Sequence, residues 1–269
     1  MFSDSHVERN NSISGTSSTP EGGLGDTTIG VPQETGNSTR ILALETSARE
    51  ASVAAIEADG NGVRLLREVM LAGSQRTAQV LAPAVRDLLA AVGWTPADVQ
   101  LVAVAVGPGS FTGLRIGVTM AKTFAYAVGA EVIGVNTLAV LAEQAGSSSA
   151  PLWTVMDAQR QELFAAKWEA SATDGVETRI LPESDWLAML AAGDRVTGPA
   201  LRKIEPQLPA EVEAVDASLW QPLASAVGTL AWREYQAGRR DDLWKLVPAY
   251  YRLSAAEEKR GRQGDMETR

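Results

Sequence analysis

Residues 101–142 constrain the fold of this chain more than any other stretch. The segment LVAVAV at 101–106 is a continuous apolar run, typical of a strand that is buried on both faces of a sheet. A loop with the sequence GPGSFTG follows it, then a helical stretch as far as Val128, then a second strand and a second helix. Strands that alternate with helices at this spacing predict a parallel sheet covered by helices.

Capping residues fix the ends of these helices. Ser110 or Thr112 can begin the first helix by accepting a hydrogen bond from a free backbone N–H group, and Gly129 is placed to end it. Asn136 or Thr137 can cap the next helix in the same way. The boundaries of both helices are therefore predicted from local chemistry alone.

The glycine loop differs in sequence from the known phosphate-binding loops. It has no Gly-Lys pair of the kind that Walker A requires, and its glycines at 107, 109 and 113 are spaced one residue too widely for the dinucleotide fingerprint. The interpretation favoured by the pattern is a tight strand-to-helix turn, in which glycine permits positive φ and close packing. A weak affinity of the helix N-terminus for anions remains the alternative.

The residue inventory excludes several catalytic schemes. The chain has no cysteine, and its one histidine, His6, lies in a polar segment at residues 1–39 that is rich in Ser, Thr, Gly and Asn. Such a segment buries too little apolar surface to fold, so we expect a disordered extension there. A Ser–His–Asp triad, Cys–His catalysis and a zinc centre all need residues that the remainder lacks, so none of these schemes and no bound metal is expected. Phosphoryl transfer through Glu45 and the glycine loop stays open.

Overall charge bears on the partners. Hydrophobic residues make up 45% of the 269 positions, which is enough for one large domain or two small lobes, and the net charge is −9. An acidic chain repels phosphate backbones, so the chain is not expected to be the main nucleic-acid binder, although the sequence leaves open whether a local basic patch exists.

No apolar run is long enough to span a bilayer. The lack of cysteine fits a reducing compartment, and we expect a cytoplasmic protein.

The order of elements divides the chain into two lobes. Strands at 41–46, 51–58 and 63–69 precede the first helix at 75–92, and the Ser-rich connector GSSSAP at 146–151 marks a boundary. We predict a first lobe at residues 40–146, a smaller second lobe at 151–253 and a frayed charged tail at 254–269. Three strands followed by helix–strand–helix–strand is the order of a ribonuclease-H-like lobe, an assignment made by analogy of fold.

The motif GPGSFTGLRIG, followed by a helix and by VIGVNTLAVLA, closely resembles the bacterial TsaB (YeaZ) family. The weaker motifs ILALETSAREASVAAI, DAQRQELFAAKW and VPAYYRL match the same family in order. The resemblance spans Ile41 to about Leu253. It implies an α/β, two-lobed actin/Hsp70-like ATPase fold with a reduced second lobe.

This resemblance also implies a function. The family belongs to the machinery that makes N6-threonylcarbamoyladenosine in tRNA, next to the anticodon. We therefore expect a non-catalytic scaffold or activator that pairs with the transferase TsaD and is joined by the ATPase TsaE. No cofactor of its own is expected, since ATP is used by the assembled complex, and tRNA is expected to be an indirect partner. A homodimer is expected when the chain is alone. The alternative is an independent small ATPase or kinase of the same superfamily.

Two groups of site residues follow from the resemblance. In the superfamily, the turn after the first strand faces nucleotide phosphates, and here that turn contains Glu45, for which side-chain capping of the turn is the favoured interpretation and a magnesium-linked role the alternative. The candidate phosphate-facing residues are Glu45, Thr46, Ser47, Gly107, Gly109, Ser110, Thr112, Gly113 and Arg115.

The candidate partner-binding surface lies on the first two helices. Gly113, Gly117, Ala121 and Ala125 place small residues on one stripe, which fits close approach either by a partner or by the chain's own sheet. The edge of the stripe lies around Lys122 and Tyr126. The candidate partner-binding residues are Arg76, Val80, Leu81, Val85, Leu88, Gly117, Ala121, Lys122, Phe124 and Ala125.

Overall fold

The computed structural model of the chain describes residues 38–71, 77–169 and 177–251. Three predictions lie outside these ranges: the N-terminal extension up to residue 37, the tail at 254–269, and the partner role of Arg76. The described residues form two five-stranded sheets with helices packed against them. Thr39, assigned to the extension from the sequence, instead begins the first strand and pairs with Ala58.

The first sheet has the strand order β3-β2-β1-β4-β5. Strands β1 to β3 are antiparallel, and β4 and β5 run parallel to β1. Its strands are β1 (Thr39–Glu45), β2 (Ser52–Asp59), β3 (Gly62–Met70), β4 (Leu101–Gly107) and β5 (Glu131–Asn136). This is the predicted ribonuclease-H-like order, so the expected fold class is confirmed.

Helices cover both faces of the first sheet because every second residue of its central strands points to the same face. On one face, Leu42 and Leu44 pack with α1 (Thr77–Ala91) and α2 (Phe111–Val128). On the other, Ile41 and Ala43 pack with α3 (Thr137–Ala145) and with α6 (Ala224–Gln236). The apolar run of β4 is therefore buried on both sides, as its composition predicts.

The second sheet has the strand order β10-β9-β6-β7-β8 and a core of its own around Trp153 and Trp186. The predicted hairpin is present, as β6 and β7 pair antiparallel. Its strands are β6 (Leu152–Asp157), β7 (Glu162–Trp168), β8 (Arg179–Pro182), β9 (Arg195–Thr197) and β10 (Glu213–Ala214). The associated helices are α4 (Glu183–Met189) and α5 (Leu201–Ile204).

The C-terminal part of the predicted second lobe belongs with the first sheet. Helix α6 contacts β1, β2, β4 and β5, and Ala224, Val227 and Ala231 lie in the core on that face. Further along, Leu246 packs into the core on the opposite face. The sequence predicts a second lobe that runs to residue 253, and within that range α6 buries its apolar stripe against the larger sheet. Within the described ranges, no helix is both long and apolar enough to cross a membrane.

Candidate functional site

The glycine loop is pressed against the chain's own backbone. A Cβ atom on Gly109 would lie 2.4 Å from the carbonyl oxygen of Ser47, and one on Gly113 would lie 2.0 Å from that of Thr46. The backbone N–H of Ser110 donates to the Ser47 carbonyl at 2.7 Å, and the Ser110 side chain caps α2 by accepting from the Gly113 N–H. These contacts support the interpretation of a tight turn, because the close approach itself requires glycine.

The small-residue stripe of α2 continues this packing. The Thr46 hydroxyl donates to the Gly113 carbonyl at 2.9 Å, and a Cβ on Gly117 would meet that hydroxyl at 2.1 Å. Ala121 and Ala125 are buried in the core between α2 and the first sheet. The stripe therefore serves close packing within the chain, which is the intramolecular alternative that the sequence left open.

Most of the expected partner-binding residues are buried or partly buried. Leu81, Val85 and Leu88 are at most 2% exposed and face the first core, as do Gly117, Ala121 and Ala125 on α2. Val80 and Phe124 are partly buried against that core. The fully buried side chains among them are enclosed by their own domain and pack the helix layer, whereas Val80 and Phe124 keep part of their surface exposed.

The solvent side of α2 presents different residues. Thr119, Thr123 and Tyr126 are exposed, and the Tyr126 ring meets that of Trp244 edge-on, with a centroid distance of 5.5 Å. These two aromatic side chains are 68% and 72% exposed. Lys122 donates to the carbonyls of Trp244 and Leu246, which fastens the C-terminal segment to α2. The sequence analysis did not single out Trp244, because only the fold brings it to this helix.

Glu45 is sealed inside the first sheet. Its Oε1 accepts hydrogen bonds from both the backbone N–H and the hydroxyl of Ser47, each at 2.5 Å, and its Oε2 is buried without a hydrogen-bond partner. Burial raises the pKa of Glu45 from 4.5 to about 7, against the lowering effect of the Ser47 hydrogen bonds. The hydrogen bonds to Ser47 agree with the interpretation that Glu45 caps the turn.

A cleft of about 1320 Å³ lies at the glycine loop and is lined from both sheets. Of the candidate phosphate-facing residues, Ser47, Gly109, Ser110, Thr112 and Gly113 line it. Glu45, Thr46, Gly107 and Arg115 are not part of its lining. A Cβ on Gly107 would lie 2.9 Å from the carbonyl oxygen of Ala249, which explains that glycine through packing.

Arg115 is turned toward aromatic side chains. Its Nε donates to the Tyr250 hydroxyl at 2.9 Å, and its guanidinium lies 3.9 Å from the centroid of the Phe111 ring. The guanidinium of Arg115 is therefore engaged by cation–π and hydrogen-bond contacts at the C-terminal segment.

Most of the charged residues that line the cleft are basic, which the sequence motifs did not predict. Its charged lining residues are Arg49, Arg160, Arg202 and Lys203 against a single acid, Asp157. Lys203 pairs with Asp157 at 2.6 Å, and the hydrogen bond from this pairing raises the pKa of Lys203. The four basic residues come from three distant parts of the sequence, so no local pattern could have grouped them.

The turn between β6 and β7 is held in an unusual conformation. Gln159, Arg160 and Gln161 have φ values of 66°, 58° and 61°, the left-handed region that non-glycine residues avoid at a cost of roughly 1 to 2 kcal/mol each. Gln159 and Arg160 both line the cleft. Strained backbone of this kind is concentrated at functional sites.

No group of three or more His, Cys, Asp or Glu side chains suited to a metal ion occurs at residues 38–71, 77–169 or 177–251. The acidic lining of the cleft is Asp157 alone, and that carboxylate is paired with Lys203. The donors present in the cleft therefore fit an anion better than a cation.

Comparison with known proteins gives consistent matches. The family model for TsaD, tRNA N6-adenosine threonylcarbamoyltransferase, matches residues 72–217. The tRNA threonylcarbamoyladenosine biosynthesis protein TsaB of Bacillus subtilis is 29% identical over 81% of this chain and 96% of its own length, and that of Escherichia coli is 28% identical over 82% and 97%. The solved structure of YeaZ from Pseudomonas aeruginosa superposes with a TM-score of 0.64 at 26% identity, covering 79% of this chain and 99% of that one.

Proposed function

This chain belongs to the TsaB (YeaZ) family, within the Gcp-like group that includes TsaD, and from that premise we propose that it acts in tRNA threonylcarbamoyladenosine biosynthesis as a non-catalytic subunit. It pairs with a TsaD homologue, which carries out the transfer, and a TsaE ATPase joins the larger assembly. It needs no cofactor of its own, since ATP is used by the assembled complex. Its place of action is the cytoplasm.

One observation carries the non-catalytic role: the glycine loop is occupied by the chain itself. Gly109 and Gly113 rest on the backbone of residues 46–47, and the Ser110 N–H is used by the Ser47 carbonyl. Glu45 is sealed away from the cleft, and Arg115 is engaged by Phe111 and Tyr250. The Ser110 N–H, Glu45 and Arg115, three groups that would orient a nucleotide phosphate, are therefore engaged within the chain, which argues against the alternative of an independent ATPase or kinase.

The exposed face of α2 is the proposed contact with the TsaD homologue. We define the α2 surface as Thr119, Thr123, Tyr126 and Trp244. It combines two exposed aromatic rings with small polar residues on a regular helix, and aromatic side chains are enriched where protein interfaces bury surface. The same surface accounts for a homodimer when no TsaD homologue is present.

Thr123→Arg tests this contact. Thr123 is exposed on a helix, and arginine favours helix more than threonine does, so the melting temperature should be unchanged. A bulky charge at the centre of the surface should weaken binding of the TsaD homologue about tenfold or more. Titration calorimetry of the two purified proteins measures the affinity.

The matched control is Gln236→Arg, which adds the same charge at an exposed helical position on the opposite face of the first sheet. It should bind the TsaD homologue normally. Normal binding by Thr123→Arg as well would remove the α2 surface from the interface. Micromolar binding of Mg-ATP with turnover by the chain alone would instead support the ATPase alternative.

A further inference from the structure

The basic cleft is the feature that the proposed function leaves unused. The whole chain carries 33 acidic against 24 basic residues, yet the cleft lining carries one acidic against four basic. Basic residues therefore outnumber acidic ones in the cleft lining, the reverse of the whole chain. A concave, low-dielectric site focuses the positive potential of such a cluster.

The cations stand on both walls of the cleft. Arg49 follows β1 of the first sheet, whereas Arg160 lies in the strained turn and Arg202 on α5 of the second sheet. Arg202 lies 3.9 Å from Glu50, an exposed pair that contributes little to stability and leaves the guanidinium available to a stronger anion. Groups on opposite walls suit an extended ligand with several negative charges.

Aromatic rings supply a second kind of contact. Tyr250 and Tyr251 line the cleft and are 46% and 37% exposed. Tyr250 packs on Phe111 and Tyr251 on Phe164, and both phenylalanines line the same cleft, so the two tyrosine rings are part of an aromatic cluster there. Rings of this kind beside a basic groove are the means by which proteins bind unpaired nucleic-acid bases together with their backbone.

The size and donors of the cleft favour a polymer over a free nucleotide. Small-molecule sites typically occupy about 300 to 1000 Å³, and this cleft occupies about 1320 Å³. The lone carboxylate, Asp157, is paired with Lys203 and offers little to the magnesium ion that accompanies a nucleoside triphosphate. A phosphodiester chain needs no such ion, only cations spaced along a groove.

We propose that this cleft binds tRNA directly, through its phosphate backbone and through unpaired bases stacked on Tyr250 and Tyr251. The choice of RNA rests on the proposed function, because that function supplies tRNA as the substrate of the assembly. The chain then contributes part of the tRNA-binding surface in addition to holding its partner. Arg160 and Gln159 of the strained turn line the same cleft.

The test uses a fluorescently labelled, unmodified tRNA transcript with adenosine beside its anticodon. Its binding is measured by anisotropy over a range of salt concentrations, both to the full chain alone and to the chain with its TsaD homologue. The double variant Arg49→Gln, Arg202→Gln should bind about tenfold more weakly. Its plot of log affinity against log salt should be shallower by about 1.4 to 1.8, the expected loss for two phosphate contacts.

The matched control is the double variant Arg64→Gln, Arg233→Gln. Like Arg202, both of these arginines are exposed and each pairs with one glutamate, but they lie outside the cleft. The control should bind tRNA as the unmodified chain does. Equal binding by both double variants, or no tRNA binding by the unmodified chain in either form, would overturn the proposal.

Two further measurements separate this proposal from others. Hydrogen exchange should show protection of residues 47–50 and 157–161 by tRNA. Protection of those residues by Mg-ATP or by polyglutamate, without protection by tRNA, would overturn the proposal in favour of a nucleotide or an acidic protein. Affinity for the TsaD homologue should be the same for both double variants. Failure of the unmodified chain to bind that homologue would count against the proposed function. The binding of tRNA by the chain alone tests the cleft independently of that result.

Discussion

Gly113→Ala is expected to lower the free energy of unfolding by about 3 kcal/mol, although alanine normally stabilises a helix by roughly 1 kcal/mol relative to glycine. The reversal has a geometric cause. The added Cβ would lie 2.0 Å from the carbonyl oxygen of Thr46, a backbone atom that cannot rotate aside. Relief would require α2 to move off β1, which would also break the hydrogen bond from the Thr46 hydroxyl to the Gly113 carbonyl.

Thermal and urea denaturation measure this effect. For a domain of this size, about 3 kcal/mol corresponds to a fall of about 6 to 12 °C in melting temperature. Gly60→Ala is the matched control, since its Cβ would meet nothing within 4 Å, and its stability should be unchanged or slightly higher. A more stable Gly113→Ala variant would show that α2 does not rest on the turn at residues 45–47.

Local features of the fold were predictable because their causes are local. Ser110 and Asn136 cap their helices, and Gly129 adopts the left-handed conformation that ends α2. The hairpin of β2 and β3 follows from the turn residues DGNG at 59–62 between two strand-forming segments. Each of these features depends on residues within a few positions of one another, so the sequence contains the whole argument.

The small-residue stripe shows where such reasoning stops. Glycine and alanine every four residues indicate that something approaches α2 closely, and they do so equally for a partner helix and for the chain's own sheet. Only the burial of Ala121 and the contact of Gly117 with Thr46 decide between the two. The sequence does not predict the position of α6 on the first sheet for the same reason. An apolar stripe on a helix does not show which surface the helix will pack against.

The basic cleft was hidden by sequence distance. Arg49 and Arg202 are far apart in the chain, and each is surrounded by ordinary polar residues. The net charge of −9 argued against a role as the main nucleic-acid binder and left a local basic patch open. An overall charge carries no information about where the charged residues lie. Folding brings the two arginines to one cleft. The charged residues that line this cleft are mostly basic, although the chain as a whole is acidic.

Glu45→Gln is expected to change how stability depends on pH. Folding raises the pKa of Glu45 from 4.5 to about 7, so the folded chain keeps a proton that the unfolded chain releases between these values. The stability contributed by the protonated carboxyl is complete below pH 4.5 and is lost as the pH rises through 7. With 1.36 kcal/mol for each pKa unit, the loss from Glu45 amounts to about 3 kcal/mol by pH 8.

The amide of the variant cannot ionise, so this loss should be absent from it. Its oxygen can still accept the two hydrogen bonds from Ser47, and the cost of its buried NH₂ group is the same at every pH. The stability of Glu45→Gln relative to the unmodified chain should therefore rise by about 3 kcal/mol between pH 4.5 and 8, measured by urea denaturation at closely spaced pH values. The exposed Glu213→Gln removes the same charge outside the sealed site and is the matched control. A flat difference for Glu45→Gln would mean that its carboxylate is compensated in the folded chain, contrary to a sealed site whose Oε2 has no partner.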